Sequence, residues 1–173
     1  MEKFVLGGGC FWCLDAVYRN VRGVTSSVAG YAGGHTKNPT YEQVCYADTG
    51  HAEVLEVSFD PEQVSSESIL DIFFTLHDPT QLNRQGADVG TQYRSSMMYT
   101  SEEQKELFEQ AIERAKSIWG DQIVTEVVPL DVFYEAESYH QDYFAKNPNQ
   151  GYCLAVVSPK VAKVRANFAS LMR

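Results

Sequence analysis

The sequence GGGCFWC, residues 7 to 13, brings together residue types that could carry out thiol chemistry. Cys10 follows three glycines, where a short apolar run gives way to apolar residues at helical spacing. Amides of a first helical turn favour a thiolate, the nucleophilic form of cysteine, so we expect Cys10 to be a nucleophile. A cysteine beside a glycine turn is also often only a small buried hydrophobe. Phe11 and Trp12 follow at once, and one of their rings must face away from the core, which suggests an apolar pocket for a small group.

Cys13 completes a CxxC pair with Cys10, and this pair leaves two further interpretations open. It can be a redox dithiol or half of a zinc site. A structural zinc site needs a second pair of ligands, and Cys45 with His51 is poorly spaced for that role, so we expect no metal. With Cys153 the chain has four cysteines, too few for a disulfide-stapled secreted scaffold of this length.

Short strands alternate with amphipathic helices in the first hundred residues. The order strand, helix, strand, strand, helix, strand predicts an α+β fold, a ferredoxin-like open sheet with helices packed on it. A loop of about 15 residues follows the second helix, and a loop of that length inside a compact domain is usually functional. The predicted elements are a strand at Phe4–Leu6, a helix ending at Gly23, strands at Val24–Tyr31 and Val54–Phe59, a helix from about Ser66 to His77 and a strand at Ser96–Tyr99.

Further elements are predicted at the carboxyl end, and no linker or repeat separates them from the rest, so residues 1–173 are expected to form a single catalytic domain. Ser101 and Gln104 predict a capping box that opens a helix ending at Gly120. The remaining predictions are a strand-like segment Val124–Phe133, a short helix Glu137–Ala145 and a last helix that starts at Ser158-Pro159.

The composition restricts the possible partners. Of 173 residues 44% are hydrophobic and 21% charged, as in an ordinary soluble domain. The formal charge of −9 repels phosphate backbones and anionic lipid, so we expect neither nucleic acid nor membrane as a partner. No apolar run is long enough to span a bilayer, and Met1-Glu2-Lys3 leads into a short run ending in glycines rather than into a signal-peptide core, so a cytoplasmic location is expected.

Four separated blocks of the chain resemble the A-type peptide methionine sulfoxide reductases. They are GCFW, the segment GYAGGHTKNPTYEQVCYADTGHAEVLEVSFDP at 30 to 61, HDPTQLNRQGADVGTQYRS at 77 to 95, and YHQDYFAKNPNQGYC at 139 to 153. The similarity extends from Gly8 to Cys153. It implies an enzyme that reduces methionine sulfoxide, free or in proteins and as the S epimer, without metal or organic cofactor.

The resemblance also assigns the chemistry to individual residues. Cys10 would attack the sulfoxide sulfur and become a sulfenic acid, while Phe11 and Trp12 would enclose the methyl group on that sulfur. A sulfoxide oxygen is a poor leaving group, so an acid must protonate it. Glu53 matches the family's neutral carboxylic acid, whose pKa burial would raise.

Three more residues are carried over in the same way. Tyr41 and Tyr93 match two phenols that share the sulfoxide oxygen, and Asp88 matches an acid that orders the site through water. The four histidines are expected to brace loops, and Cys45 to be buried and inert.

A second thiol must resolve the sulfenic acid into a disulfide. Cys153 matches the family's resolving cysteine, and thioredoxin would be the reductant. Cys13 replaces the glycine that many relatives carry after GCFW, which makes it a rival one helical turn from Cys10. The helix-like tail after Cys153 also departs from the family's flexible glycine-rich end.

Two alternatives remain. A thioredoxin-like disulfide exchanger would use Cys10 and Cys13, but it needs a thioredoxin fold with a proline before the opposite strand, and no proline here is suitably placed. A non-catalytic ferredoxin-like binding module would hold a small ligand in its glycine-rich loops and would tolerate loss of the Cys10 thiol.

Overall fold

A six-stranded sheet lies at the centre of the protein, whose computed structural model describes residues 1–173. The strands are β1 (Glu2–Gly7), β2 (Val24–Ala32), β3 (Ala52–Phe59), β4 (Arg84–Gln85), β5 (Asp88–Val89), β6 (Ser96–Tyr99), β7 (Glu126–Pro129) and β8 (Tyr134–Glu135). The helices are α1 (Phe11–Tyr18), α2 (Tyr41–Tyr46), α3 (Ser66–Leu76), α4 (Glu102–Trp119), α5 (Tyr143–Lys146) and α6 (Ser158–Asn167). No helix is long and apolar enough to cross a membrane.

The sheet has the order β7-β6-β1-β3-β2-β8, and β4 pairs with β5 in a separate hairpin. Its four central strands are antiparallel neighbours in the order β6-β1-β3-β2. With α1 and α3 as the connecting helices, this is the ferredoxin-like arrangement, and the predicted α+β fold is confirmed. β7 extends the sheet in parallel beside β6, and β8 extends it beside β2.

Alternation along the strands directs side chains to two faces of the sheet. Phe4 and Leu6 of β1 enter the main core, while Val5 between them joins a smaller cluster on the opposite face. On β3 the predicted set Leu55, Val57 and Phe59 lies in the main core. Buried residues of α1, α3 and α4 complete the main core, so these three helices cover one face of the sheet. This packing holds the start of α1 against the sheet.

The strand-like prediction for Val124–Phe133 is correct only in part. β7 ends at Pro129, which lacks an N–H for further pairing. The next residues join the two edges of the sheet across its second face, where Leu130 and Phe133 pack on the smaller cluster. Gly30 makes room for Phe133, because a Cβ at residue 30 would lie 2.4 Å from its ring. Burial against the sheet therefore prevailed over strand propensity.

Three helical predictions also need correction. α1 ends at Tyr18 and does not continue to Gly23. The segment Glu137–Ala145 contains a 3-10 turn, Ser138–His140, and the separate four-residue α5. The capping box at α4 is incomplete, because Ser101 accepts from the Gln104 N–H while the Gln104 side chain bonds Thr100 N and Lys3 O instead.

Helix α2 was not predicted at all. It has six residues, of which three are exposed and only Val44 is buried, so it carries no apolar period. A reciprocal capping box starts it, with Thr40 Oγ1 accepting from Gln43 N and Gln43 Oε1 accepting from Thr40 N. This cap places Tyr41 at the first position of the helix.

The carboxyl-terminal segment after Cys153 is helical, whereas the family pattern has a flexible, glycine-rich end at this place. A π-helical turn, Cys153–Val157, runs directly into α6. Cys153 and Val157 are buried, and this segment packs against α1. This packing restrains Cys153.

The glycine turn between β1 and α1 fits closely against α3. A Cβ at Gly8 would lie 3.0 Å from the ring of His77 and 3.1 Å from the ring of Phe73. His77 cannot yield, because its Nδ1 bonds Phe73 O at 2.6 Å and its Nε2 bonds Ser95 Oγ at 2.8 Å. Gly9 has a φ of +89°, a backbone conformation that residues other than glycine disfavour.

We therefore expect Gly8→Ala to lower the free energy of unfolding by about 1–3 kcal/mol through overpacking. Gly151→Ala is the matched control, because a Cβ there meets nothing within 4 Å, and we expect no loss and a gain of up to about 1 kcal/mol. Urea unfolding measures both. Equal stability of the two variants would contradict the proposed close fit.

Candidate active site

Cys10 is the residue immediately before α1, and its side chain retains 8% exposure. Burial raises the pKa of its thiol well above the ordinary value, and Glu53 and Cys13 raise it further, whereas the backbone N–H of Trp12 lowers it. The helix amides thus act in the expected direction, but burial outweighs them. The resting form of Cys10 is the thiol and not the expected thiolate.

Glu53 lies on β3 opposite Tyr31 of β2 and is 1% exposed. Its Oε1 accepts a hydrogen bond of 3.1 Å from the backbone N–H of Phe11, the residue after Cys10. Burial raises the pKa of Glu53 from 4.5 to about 8, although the Phe11 N–H opposes this shift. At neutral pH the carboxyl is therefore mostly protonated and can donate a hydrogen bond.

Two phenols approach Glu53 from separate elements. Tyr41 opens α2, and Tyr93 ends the 3-10 turn Thr91–Tyr93. Burial raises the pKa of both hydroxyls, and the nearby Glu53 carboxyl raises it further in each. Cys10 also contributes to the raised pKa of Tyr93. The structure thus brings the predicted acid, the two phenols and the thiol together.

Asp88, on β5, has a direct protein partner. The hydroxyl of Tyr152 donates to Asp88 Oδ2 at 2.5 Å. The Asp88 charge contributes to the raised pKa values of Cys10 and Glu53, which places it within electrostatic reach of both. Tyr152 was missed by the sequence analysis, although it lies inside the quoted block 139 to 153.

The two aromatic residues after Cys10 separate as expected. Phe11 is fully buried, with its ring centroid 5.6 Å from that of Tyr31 and 4.9 Å from that of His140. Trp12 is half-buried and packs against the main core. Its ring stacks on Tyr143 at 3.7 Å with an interplanar angle of 4°.

Three thiols lie along the amino-terminal half of α1. Cys13 is fully buried, and burial raises its pKa to about 11, against the opposing effects of Lys160 and the Tyr152 hydroxyl. Cys153 is buried too, and its charge acts on Cys13. Cys13 also raises the pKa of Cys10, and the Cys13 backbone N–H donates to Cys10 O at 3.1 Å across one helical turn. Cys13 is therefore within electrostatic reach of Cys10.

Cys45 and the histidines complete the account of the sequence candidates. The expectation that Cys45 is buried is wrong, because it is half-buried on α2, one turn after Tyr41. His51 braces the loop before β3 as expected, accepting from Gly34 N at 3.0 Å and bonding Thr36 O at 2.7 Å. Among residues 1–173 no three metal-ligating side chains form a cluster that could hold an ion.

Comparisons with known proteins identify the family of this chain. The sequence model described as peptide methionine sulfoxide reductase matches residues 2–171. The chain belongs to this family. The family resemblance of the four sequence blocks is thereby confirmed, and with it the class of enzyme, an oxidoreductase.

Relatives of the peptide methionine sulfoxide reductase family match over nearly the whole chain. The peptide methionine sulfoxide reductase MsrA of Paenarthrobacter aurescens is 62% identical over 170 residues, covering 98% of each chain. Mxr1 from Saccharomyces cerevisiae in reduced form superposes with a TM-score of 0.81 at 36% identity over 88% of each chain. Mxr1 in complex with Trx2 gives a TM-score of 0.57 at 26% identity over 82% of this chain and 84% of that chain.

The raised pKa of Glu53 predicts how the stability of the fold depends on pH. Because the pKa of Glu53 is higher in the folded state, folding binds a proton between about pH 4.5 and 8, and stability must fall as pH rises through this range. Glu53→Gln removes this titration. We expect the free energy of unfolding of the variant, relative to the parent, to rise by on the order of 3 kcal/mol from pH 5 to pH 8.

Urea unfolding across this pH range provides the measurement. Glu56→Gln is the matched control, since Glu56 is a partly exposed carboxyl on the same strand. A difference between the Glu53→Gln variant and the parent that stays constant with pH would show that Glu53 does not titrate as described.

Proposed function

We propose that the protein reduces methionine S-sulfoxide, free or in proteins, to methionine, with Cys10 as the nucleophile and Glu53 as the proton donor. The observation that carries this proposal is the bond between Glu53 Oε1 and the Phe11 N–H. This bond holds the protonated Glu53 carboxyl against the backbone of Phe11, the residue after Cys10. Reduction of a sulfoxide needs these two groups at one sulfur–oxygen bond.

The oxygen of the sulfoxide would be bound by three donors. Glu53 is mostly protonated at neutral pH, and its Oε2 accepts no bond from the protein, so an O–H at Oε2 is free to meet the substrate. Burial and the Glu53 carboxyl keep the Tyr41 and Tyr93 hydroxyls protonated, so both are donors. A hydrogen-bonded and then protonated oxygen leaves the sulfur more electrophilic.

Cys10 would then attack the substrate sulfur. The thiol is protonated in the free enzyme, so its activation must accompany substrate binding. Protonation of the sulfoxide oxygen by Glu53 places positive charge on the substrate and leaves a carboxylate that can take up the thiol proton. An S–S bond forms between Cys10 and the substrate sulfur, the protonated oxygen moves from that sulfur to Cys10 as the substrate S–O bond breaks, and the S–S bond then breaks as methionine leaves. In balance, one thiol and one sulfoxide become one sulfenic acid and one thioether.

The surroundings of Cys10 support a single orientation of the substrate. Phe11 and Trp12, which follow Cys10 directly in the chain, would enclose the methyl group, and the acid and phenols would bind the oxygen. Binding would fix the positions of the methyl group and the oxygen and the face that Cys10 attacks, so only one epimer of the sulfoxide would fit. That this is the S epimer, and that Asp88 orders the site, follow from the resemblance.

The sulfenic acid would condense with a second thiol, releasing water and forming a disulfide that thioredoxin reduces. The complex of the yeast relative Mxr1 with Trx2 supports this reductant. Cys153 is the resolving thiol by position in the family pattern. Cys13, as its rival, is supported by its place one helical turn from Cys10, which satisfies disulfide geometry with little backbone movement.

Removal of the proposed catalytic groups should separate two effects. We expect Cys10→Ser to abolish reduction of methionine sulfoxide, and Glu53→Gln to slow the chemical step by roughly one to three orders of magnitude. Single-turnover assays with excess enzyme measure that step, and circular dichroism controls for folding. A Glu53→Gln variant that is as fast as the parent would remove Glu53 as the donor.

The resolving thiol can be identified by peptide mapping of enzyme treated with one equivalent of methionine sulfoxide. We expect a peptide that links Cys10 to Cys153, and this link should be lost in Cys153→Ser. A Cys10–Cys13 link that persists in the Cys153→Ser variant would instead assign resolution to Cys13.

A further inference from the structure

Arg94 follows Tyr93 directly, and its guanidinium joins three segments of the chain. Nε donates to Glu126 Oε1 at 2.8 Å, Nη1 to Thr91 O at 2.9 Å and Nη2 to Gly50 O at 3.1 Å. Glu126 begins β7, Thr91 begins the 3-10 turn that ends at Tyr93, and Gly50 lies in the loop before β3. The Arg94 side chain is 15% exposed, so most of it is shielded from water.

The backbone bonds within the 3-10 turn are local. The Tyr93 N–H donates to Gly90 O at 3.0 Å, and the Arg94 N–H donates to Thr91 O at 3.2 Å. The sheet restrains the turn at its carboxyl end, because β6 begins at Ser96. At the amino end of the turn, the Arg94 side chain bonds Thr91 O. The guanidinium therefore holds the end of the turn that the sheet does not.

Glu53 is fixed by contacts that do not involve Arg94. It pairs with Tyr31 across β2 and β3, and its Oε1 accepts from the Phe11 N–H. The Arg94 guanidinium reaches from the 3-10 turn to Gly50 O in the loop that leads into β3. It therefore sets how far the turn lies from the strand that carries the acid.

The loop between β2 and α2 also lies against the guanidinium. Gly33 has a φ of +88°, and a Cβ at residue 33 would lie 2.8 Å from Arg94 Nη2. The guanidinium is thus enclosed by three backbone segments and the side chain of Glu126. Acceptors in three directions suit the planar fork of an arginine, whereas the compact ammonium of a lysine cannot reach all of them at once.

We infer that Arg94 is a positioning residue that holds the Tyr93 hydroxyl where it and Glu53 can bind the same sulfoxide oxygen. The inference rests on the proposed function, in which these two groups share that oxygen. Arg94 does not touch the substrate and acts through the backbone of the 3-10 turn. A turn released at its amino end would let the hydroxyl move away from the oxygen, and a misplacement of about 1 Å can cost about a hundredfold in rate.

The activity test measures the single-turnover rate constant with saturating methionine sulfoxide. Arg94→Met removes all three donors, and Arg94→Lys removes the fork but keeps the positive charge. We expect both variants to lose about tenfold to a hundredfold, because the fork and not the charge makes the three bonds. Arg114→Met is the matched control, since Arg114 bonds Asp71 between α4 and α3, and it should keep the parental rate. A parental rate in Arg94→Lys would overturn the inference.

A double-mutant cycle separates positioning from a general loss of structure. In a Tyr93→Phe background the hydroxyl is absent, so adding Arg94→Met should lower the rate by less than about threefold. In a Tyr41→Phe background, where the missing hydroxyl comes from α2, the same substitution should still cause its full loss. An equal loss in the two backgrounds would show that Arg94 does not act through Tyr93.

A second measurement does not depend on activity. Hydrogen exchange of the backbone N–H groups of residues 93 and 94 reports local opening of the 3-10 turn. We expect both to exchange at least about tenfold faster in Arg94→Met than in the parent. The His140 N–H, bonded to Glu137 O at 3.0 Å in the separate 3-10 turn Ser138–His140, is the internal reference and should not change. Parental exchange at residue 93 in the variant would contradict the inference.

The unmutated protein supplies the last check, which needs no variant to fold. In a ¹⁵N-labelled sample the Nε–H of Arg94 should exchange with water at least about tenfold more slowly than the Nε–H of the exposed Arg22. Equal exchange at the two side chains would refute the inference. If the parent enzyme reduces no sulfoxide, the proposed function fails, and the exchange data still decide whether Arg94 holds the 3-10 turn.

Discussion

The hydrogen bond from the Phe11 N–H to Glu53 Oε1 joins the two halves of the chemistry. It connects the start of α1, next to the thiol, to the start of β3, where Glu53 is the second residue. The sheet and the helices bury Glu53 almost completely, so water cannot solvate its carboxyl. Burial is what keeps the Glu53 carboxyl protonated, so its proposed role as proton donor and the packing of the core have the same cause.

This arrangement has a cost in stability. A carboxyl and a thiol that both resist ionisation lie side by side in a region that excludes water. The hydrophobic contacts of the surrounding sheet and helices must offset that cost, and the glycine turn lets α1 approach closely enough for the contact with Glu53. A protein selected only for stability would have apolar residues at these positions.

The carboxyl-terminal third of the chain completes the site. Glu137 holds the backbone of Tyr41, His140 and Tyr143 hold Trp12, and Tyr152 binds Asp88. The ferredoxin-like core therefore presents the thiol and the acid, while the later segment orients the aromatic side chains around them. Its position across the edge beside β2 explains why β8 extends the sheet there with only two residues.

The ferredoxin-like core was predictable because its strands and helices carry clear apolar periods, as in Leu55, Val57 and Phe59 of β3. Helix α2 was not, because a six-residue helix with exposed sides has no such period and forms through its capping box. The path of residues 130–133 across the sheet could not be predicted either. An apolar run is equally consistent with a strand and with an irregular segment packed on a sheet.

The chain's residue types and local spacing by themselves indicated the α+β class and a reactive Cys10, while the resemblance of four sequence blocks to the family supplied the candidates Glu53, Tyr41 and Tyr93. Only the tertiary structure decided their protonation, because the pKa of a buried group depends on desolvation by residues far away in sequence. It also decided that Trp12 donates a hydrogen bond to His140 and stacks on Tyr143. Such contacts arise from how the elements pack, and no local pattern in the sequence encodes them.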